Sequence, residues 1–136
     1  MQIRKAVLAD IDQCVSLCRI EAFKMPGDIY PDKDVLIPSL NQVFLVAEEK
    51  GEILGLIVGY FLLRKIVYID MLTVDEKHRG RNIGSKLVNA IREEFKNIGV
   101  ESFWLIAPTK SENTLAFYRK NGLTEGGQYT FFSEGI

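Results

Sequence analysis

Cysteine and histidine are scarce in this chain. There are two of the first, Cys14 and Cys18, and one of the second, His78, in 136 residues. A metal site on the cysteines would need further Cys or His ligands, and the sequence provides none beside them. Their i, i+4 spacing instead puts both on one helix face with Ile11 and Val15, as small buried apolar residues. No apolar run approaches the length of a membrane span. The start, Met1-Gln2-Ile3-Arg4-Lys5, lacks the apolar segment of a secretory signal. A cytoplasmic chain with no membrane partner is therefore expected. An excess of one charge is missing too. Lys and Arg number 17 against 18 Asp and Glu, a net charge of -1, so no nucleic-acid surface is expected. No repeat, linker or low-complexity segment interrupts the chain. What is present, 47% apolar and 26% charged residues, suits one globular domain over residues 1–136 with a single core.

Hydrophobic period divides that domain. Residues 2–7 read as a strand. Asp10 follows as a helix N-cap with Gln13 as its capping-box partner. Ile11, Cys14, Val15, Cys18 and Ala22 then recur at helical spacing until Met25-Pro26-Gly27 stops them. Pro26, Gly27, Pro31 and Pro38 break up residues 26–40, which leaves room for a short helix over 34–40 in a segment suited to a substrate loop or a plain connector. Three apolar runs, 43–47, 53–63 and 66–74, are joined by Glu49-Lys50-Gly51-Glu52 and by Arg64-Lys65, which predicts an antiparallel meander. The period then becomes helical. Ile83, Leu87, Ile91, Phe95 and Ile98 form one stripe that Gly99 ends. Residues 102–107 return to strand, and the strand–helix–strand order predicts that this strand runs parallel to the previous one. A second helix opens at Ser111 or Glu112 and closes at Asn121-Gly122. A last strand pair, around Leu123 and residues 128–132, completes an α+β domain: a central mixed, mostly antiparallel sheet flanked by helices.

The segment from Leu72 to Leu87 carries the most chemistry. It passes from an apolar strand through the charged turn Asp75-Glu76-Lys77-His78 into Arg79-Gly80-Arg81-Asn82-Ile83-Gly84-Ser85 and then a helix. Backbone N–H groups at a helix N-terminus attract anions, and the helix dipole adds to the attraction. Gly80 and Gly84 allow close approach; Arg79, Arg81 and Lys86 add positive charge. The spacing is wrong for a Walker A loop, and the surrounding pattern is not a dinucleotide fold. His78 reads as a surface side chain.

The wording of this loop resembles the acyl-coenzyme A signature of the GCN5-related N-acetyltransferase (GNAT) family, Arg/Gln-x-x-Gly-x-Gly/Ala. It departs at Asn82, where the family usually has glycine. Asn fits if the position needs a positive φ. The resemblance extends over essentially the whole chain. It returns at Asn113-Thr114-Leu115-Ala116-Phe117-Tyr118 with Gly122-Leu123, similar to the family's Asn-x-x-Ala-x-x-Phe/Tyr segment.

The resemblance implies an acyl-CoA N-acyltransferase fold of the GNAT kind and an enzyme that moves an acetyl group from acetyl-CoA, its cosubstrate, to a primary amine by direct attack on the thioester. Residues 79–85 would receive the pyrophosphate. Leu72, Thr73 and Val74 would bind the pantetheine and polarise the thioester carbonyl through their backbone, at a β-bulge beside a splayed parallel strand. Asn113 would contact the cofactor's pantetheine or phosphate portion, and Tyr118 would protonate the departing thiolate. Asp70 stands where the family often carries the group that takes the amine's proton. Glu101 and Glu112 are weaker alternatives, and Tyr68 lines the acceptor pocket. Specificity would lie in residues 24–41 and 126–136, with Asp28, Asp32 and Asp34 facing a cationic acceptor. The acceptor would be a small molecule or a peptide amine, and the protein a monomer or homodimer. A non-catalytic acyl-CoA sensor is the alternative of a different class. A nucleotide-phosphate enzyme using the same loop is a distant third.

Overall fold

The computed structural model describes residues 1–136. Their contacts divide into two compact units, Met1–Leu105 and Ile106–Ile136. The first holds a five-stranded sheet in the order β1-β2-β3-β4-β5. Strand β1 is Gln2–Lys5, β2 Val43–Glu49, β3 Glu52–Leu63, β4 Ile66–Val74 and β5 Ser102–Trp104. The first four pair antiparallel and β5 pairs parallel to β4, as the order of elements predicts. The β2–β3 turn is tight because Lys50 (φ 52) and Gly51 (φ 82) both accept left-handed backbone, the conformation a two-residue hairpin needs.

Helices α1 (Ile11–Leu17) and α2 (Lys33–Ser39) cover one face of the sheet. There Ile11, Cys14, Cys18 and Leu36 pack with Phe44, Val46, Leu56, Val58 and Met71. Both cysteines are fully buried, and burial pushes their thiols up to about 12, which makes them inert packing groups. Helix α3 (Ile83–Ile98) lies on the other face through the stripe Ile83, Leu87, Ile91 and Phe95. It ends at Gly99 with φ 77, as the sequence predicts.

Three expectations about α1 fail for physical reasons. Asp10 caps nothing at α1. Its carboxylate takes two bonds from the Arg4 guanidinium (2.8 and 2.9 Å) and one from the Val7 N–H (2.8 Å), and these contacts hold it below the usual carboxylate range. Gln13 likewise leaves the cap. It donates to the Gly51 carbonyl and accepts from the Ile53 N–H, so it splints α1 to the hairpin. Helix α1 stops at Leu17 rather than near Met25. Ile20 turns extended, and a separate turn at Glu21–Phe23 lets Phe23 pack on the core while Ala22 stays exposed.

The second unit is α4 (Glu112–Lys120) and the segment after it. No strand forms around Leu123 or over 128–132. Tyr129, Phe131 and Phe132 are exposed, and that segment has no ladder partner.

Glycines fix how closely β3 and β4 meet. A Cβ on Gly55 would lie 2.9 Å from the Thr73 carbonyl oxygen. One on Gly59 would lie 2.8 Å from Val67 Cγ1 and 3.1 Å from the Tyr68 carbonyl oxygen. Gly55→Ala and Gly59→Ala are each expected to cost about 1–3 kcal/mol, read from the midpoint of urea unfolding.

Candidate functional site

The site is built on β4. Its pairing with β3 runs regularly from Gly55↔Val74 to Val58↔Met71, then resumes at Gly59↔Ile69, which leaves Asp70 without a partner. Asp70 is therefore the extra residue of a β-bulge. The family resemblance placed the bulge over Leu72, Thr73 and Val74; those three pair regularly with Ile57, Leu56 and Gly55 instead. The shift follows from packing. Met71 lies in the α1–α2 face core, and Tyr68 stands opposite Tyr60, which packs on the same core. Tyr68 and Met71 are three positions apart and can share a face only if one residue is bulged between them.

On its other side β4 pairs with β5 only at Ile66↔Ser102, Val67↔Phe103 and Tyr68↔Trp104. Residues 69–74 continue past the end of β5. Their backbone N–H and C=O groups on that side have no strand partner.

Asp70 lies two residues past the last pair with β5. Its tip reaches solvent, yet the surrounding protein removes much of its hydration, and burial raises its pKa from the ordinary aspartate value. Its charge is felt by Tyr60, Tyr68 and Cys18, so the carboxylate faces the α1–α2 side. Ser39 donates its hydroxyl proton to the Val35 carbonyl (2.8 Å), so the 2.7 Å bond between Ser39 and Tyr60 is donated by Tyr60. This link ties α2 to the strand facing Asp70. Nothing in the sequence signals it beyond a tyrosine in an apolar strand. Glu101 is bonded to Lys65 (2.8 Å) before β5, at the opposite end of β4 from the loop, and is no base for this site.

Past Val74, the Asp75 N–H donates to the Leu54 carbonyl, and the Asp75 carboxylate caps the short turn Glu76–His78 through the Lys77 N–H. Gly80 has φ 81 and nothing within 4 Å of where a Cβ would stand. Asn82 has φ 62 and ψ 22, the left-handed backbone that makes Asn an acceptable stand-in for glycine. Its side chain does not cap α3, and the first turn of α3 carries no acidic residue. The leading N–H groups, those of Ile83, Gly84 and Ser85 among them, thus have neither an intrahelical acceptor nor a competing side-chain one. An anion here gains roughly 0.3–1 kcal/mol from the helix dipole in addition to its hydrogen bonds.

The three basic residues of the loop divide. Arg81 is committed: it bonds Glu49 with both terminal nitrogens (2.9 and 3.2 Å) and reaches His78 Nδ1 at 3.2 Å. It braces the loop against the end of β2. Arg79 and Lys86 are exposed and carry no ion pair, so they are the cations available to a ligand. Glu49 reads as a turn acid in the sequence, and its part in the brace comes from the fold.

Asn113 and Tyr118 lie on α4, in the second unit. Asn113 is exposed and Tyr118 half-buried, edge-on to Phe117 with ring centres 5.2 Å apart. Glu112 is exposed in the first turn of the same helix. The Tyr118 carbonyl accepts from the Leu123 N–H, and Gly122 (φ 81) makes that turn. The structure therefore gathers Asp70, Leu72, Thr73, Val74 and residues 79–85 along β4 and its continuation, and carries Asn113 and Tyr118 on a separate element.

The fold has counterparts among known proteins. The model of the acetyltransferase (GNAT) family matches residues 10–123, and the chain belongs to that family. Among solved structures, an aminoglycoside acetyltransferase from an uncultured soil metagenomic sample, in complex with sisomicin, is 26% identical with a TM-score of 0.78, over 99% of this chain and 95% of that one. Ard1 from Thermoplasma volcanium is 25% identical with a TM-score of 0.78, over 93% and 84%. AAC(6')-Iy bound to a bisubstrate analogue of CoA and acetylneamine shares the fold at 15% identity and a TM-score of 0.77, over 99% and 98%. No curated protein matches the chain in sequence.

The left-handed turn can be tested directly. Asn82→Gly keeps it, whereas the β-branched side chain of Asn82→Val strains it by about 1–2 kcal/mol. Coenzyme A titrated calorimetrically should bind the first variant as the parent and the second about tenfold more weakly.

Proposed function

We propose that residues 1–136 act as one acetyl-CoA-dependent N-acetyltransferase, working in the cytoplasm on a primary amine. The observation that carries this reading is continuity. The strand edge of β4 that β5 leaves unpaired leads through the short turn Glu76–His78 to a left-handed turn and an uncapped, acid-free helix N-terminus. A long donor molecule with amide groups at one end and a pyrophosphate at the other fits that succession. A short nucleotide would leave the strand edge unused.

In this reading the N–H groups of residues 79–85 hold the pyrophosphate, with Arg79 and Lys86 adding charge. The free backbone groups of Leu72, Thr73 and Val74 take the pantetheine amides, and one N–H stabilises the carbonyl oxygen as it gains charge, worth about 3 kcal/mol. Acetyl-CoA supplies the activated acyl group. The amine attacks the thioester carbon, so that one C–N bond forms as the C–S bond breaks. Asp70 takes the amine proton, directly or through a water. Tyr118 gives its proton to the leaving sulfur. Asn113 holds the donor from α4.

The acceptor enters from the α1–α2 side, the side that Asp70 faces. The acids of that segment are less free than the sequence suggests. Asp28 is paired with Lys24 (3.0 Å) and Asp32 caps α2, which leaves Asp34 with no partner. A small or peptide amine placed by Tyr68 and Asp70 suits this arrangement. The sisomicin-bound relative supports the small-molecule side.

Thiol release with acetyl-CoA and a panel of amines tests the reading. Turnover is expected. Tight coenzyme A binding without turnover on any amine would mark a sensor, and an unchanged rate for Tyr118→Phe would remove Tyr118 from the chemistry. Asp70 has its own signature. Its raised pKa means the folded state holds the proton more tightly than the unfolded chain does. Ionisation thus costs stability as pH rises from the unfolded value through the folded one. Asp70→Asn should abolish the acidic limb of the kcat/KM profile, a limb lying above the ordinary aspartate value. It should also raise Tm at neutral pH. A lower Tm with the limb intact would make Asp70 a structural carboxylate.

A further inference from the structure

The turn before the loop gathers a set of donors that the sequence keeps apart. Glu52 opens β3, while Asp75 and His78 sit in the turn that follows β4. In the fold, one donor atom from each lies within 4.8 Å of the other two. We propose that Glu52, Asp75 and His78 form a binding site for a divalent transition cation, with Zn2+ as the ion of best fit.

The geometry between His78 and Glu52 favours an ion over a direct bond. Nε2 stands 3.5 Å from Glu52 Oε1, too long for a good N–H···O bond. Two ligands at roughly 2.0–2.1 Å from a tetrahedral Zn2+ are separated by about 3.3–3.4 Å, close to the spacing already present. The donor set is also right in kind. Two carboxylates and a neutral imidazole cancel a 2+ charge, and the imidazole favours Zn2+ over Mg2+ or Ca2+.

The scaffold is held in place before any ion arrives. The Asp75 N–H is bonded to the Leu54 carbonyl (2.8 Å), and the His78 N–H to the Asp75 carbonyl (2.9 Å). Asp75 spends one carboxylate oxygen on the Lys77 N–H, which leaves the other free. The His78 side chain is only 23% exposed, whereas Glu52 is 57% exposed and swings easily into place. Three protein ligands leave the fourth position to water.

One neighbour must yield. Arg81 reaches His78 Nδ1, and an ion on Nε2 moves the ring's remaining proton to Nδ1, so that contact is lost. Arg81 keeps its two bonds to Glu49. The ion thus clamps the base of the loop to the start of β3 and loosens one of the contacts of Arg81. The buried thiols of Cys14 and Cys18 do not compete for it in the folded chain.

Calorimetric titration of ZnCl2 into the untagged full chain, in buffer free of chelators and without coenzyme A, tests the site independently of the transferase reading. One ion per chain is expected. Co2+ in its place should give the intense visible bands of a four-coordinate site. Glu52→Gln, a change at an exposed side chain that leaves the fold intact by circular dichroism, should weaken Zn2+ at least about tenfold. So should His78→Ala, and Glu76→Gln beside them should not. No uptake by the parent, weak six-coordinate Co2+ bands, or parental affinity in the Glu52→Gln or His78→Ala variant would overturn the assignment.

Discussion

Side chains on a strand alternate between two faces, and β4 has to violate that alternation once. Tyr68 and Met71 are both drawn to the face covered by α1 and α2, although three positions separate them. The strand resolves the conflict by leaving Asp70 out of the ladder. Everything upstream and downstream then keeps its proper face: Val67 and Ile69 lie over Gly59, and Thr73 and Val74 over Leu56 and Gly55. The same displacement puts a carboxylate at the point where β5 stops and β4 goes on alone. One packing conflict thus sets the ionisable group beside the open backbone edge.

The second organising choice is electrostatic. A loop with three cations within eight residues invites a reading in which side chains grip the ligand. In the fold, the middle cation is spent on Glu49 and His78, and the donors left facing outward are mostly main-chain N–H groups. Backbone donors lose no rotamer freedom when a ligand arrives, so a site made of them costs less to order than one made of arginines. Arg81 contributes by holding the loop still, and Arg79 and Lys86 supply the field.

Much of this was legible in the sequence because it rests on local rules. The meander over 43–74, the α3 stripe with its glycine stop, the parallel β5 and the left-handed Asn82 all follow from period, turn chemistry or backbone sterics. What was not legible depends on partners far along the chain. Asp10 and Gln13 have the spacing of a capping box, but Arg4 and the β2–β3 hairpin outbid the helix for their side chains. Helix α1 stops early because Phe23 reaches the core only from a separate turn. The tail over 128–132 has strand-forming residues and no ladder to join, and propensity without a partner does not make a strand. The position of the bulge could not be read either, because it is fixed by which residues stand opposite β4. Glu49, Ser39 and Tyr60 join the candidate site only through contacts that the fold makes.

The splint made by Gln13 also bears on how the chain reaches its native state. Its two bonds span 38 and 40 residues, to Gly51 and Ile53. Helix α1 is made early in synthesis, but at seven residues it is too short to persist alone. It becomes secure only after the β2–β3 hairpin has closed and presents the carbonyl and N–H that Gln13 needs. The hairpin, whose turn is local and fast to form, is thus the natural nucleus, and the amino-terminal helix is a late arrival despite coming first in the chain.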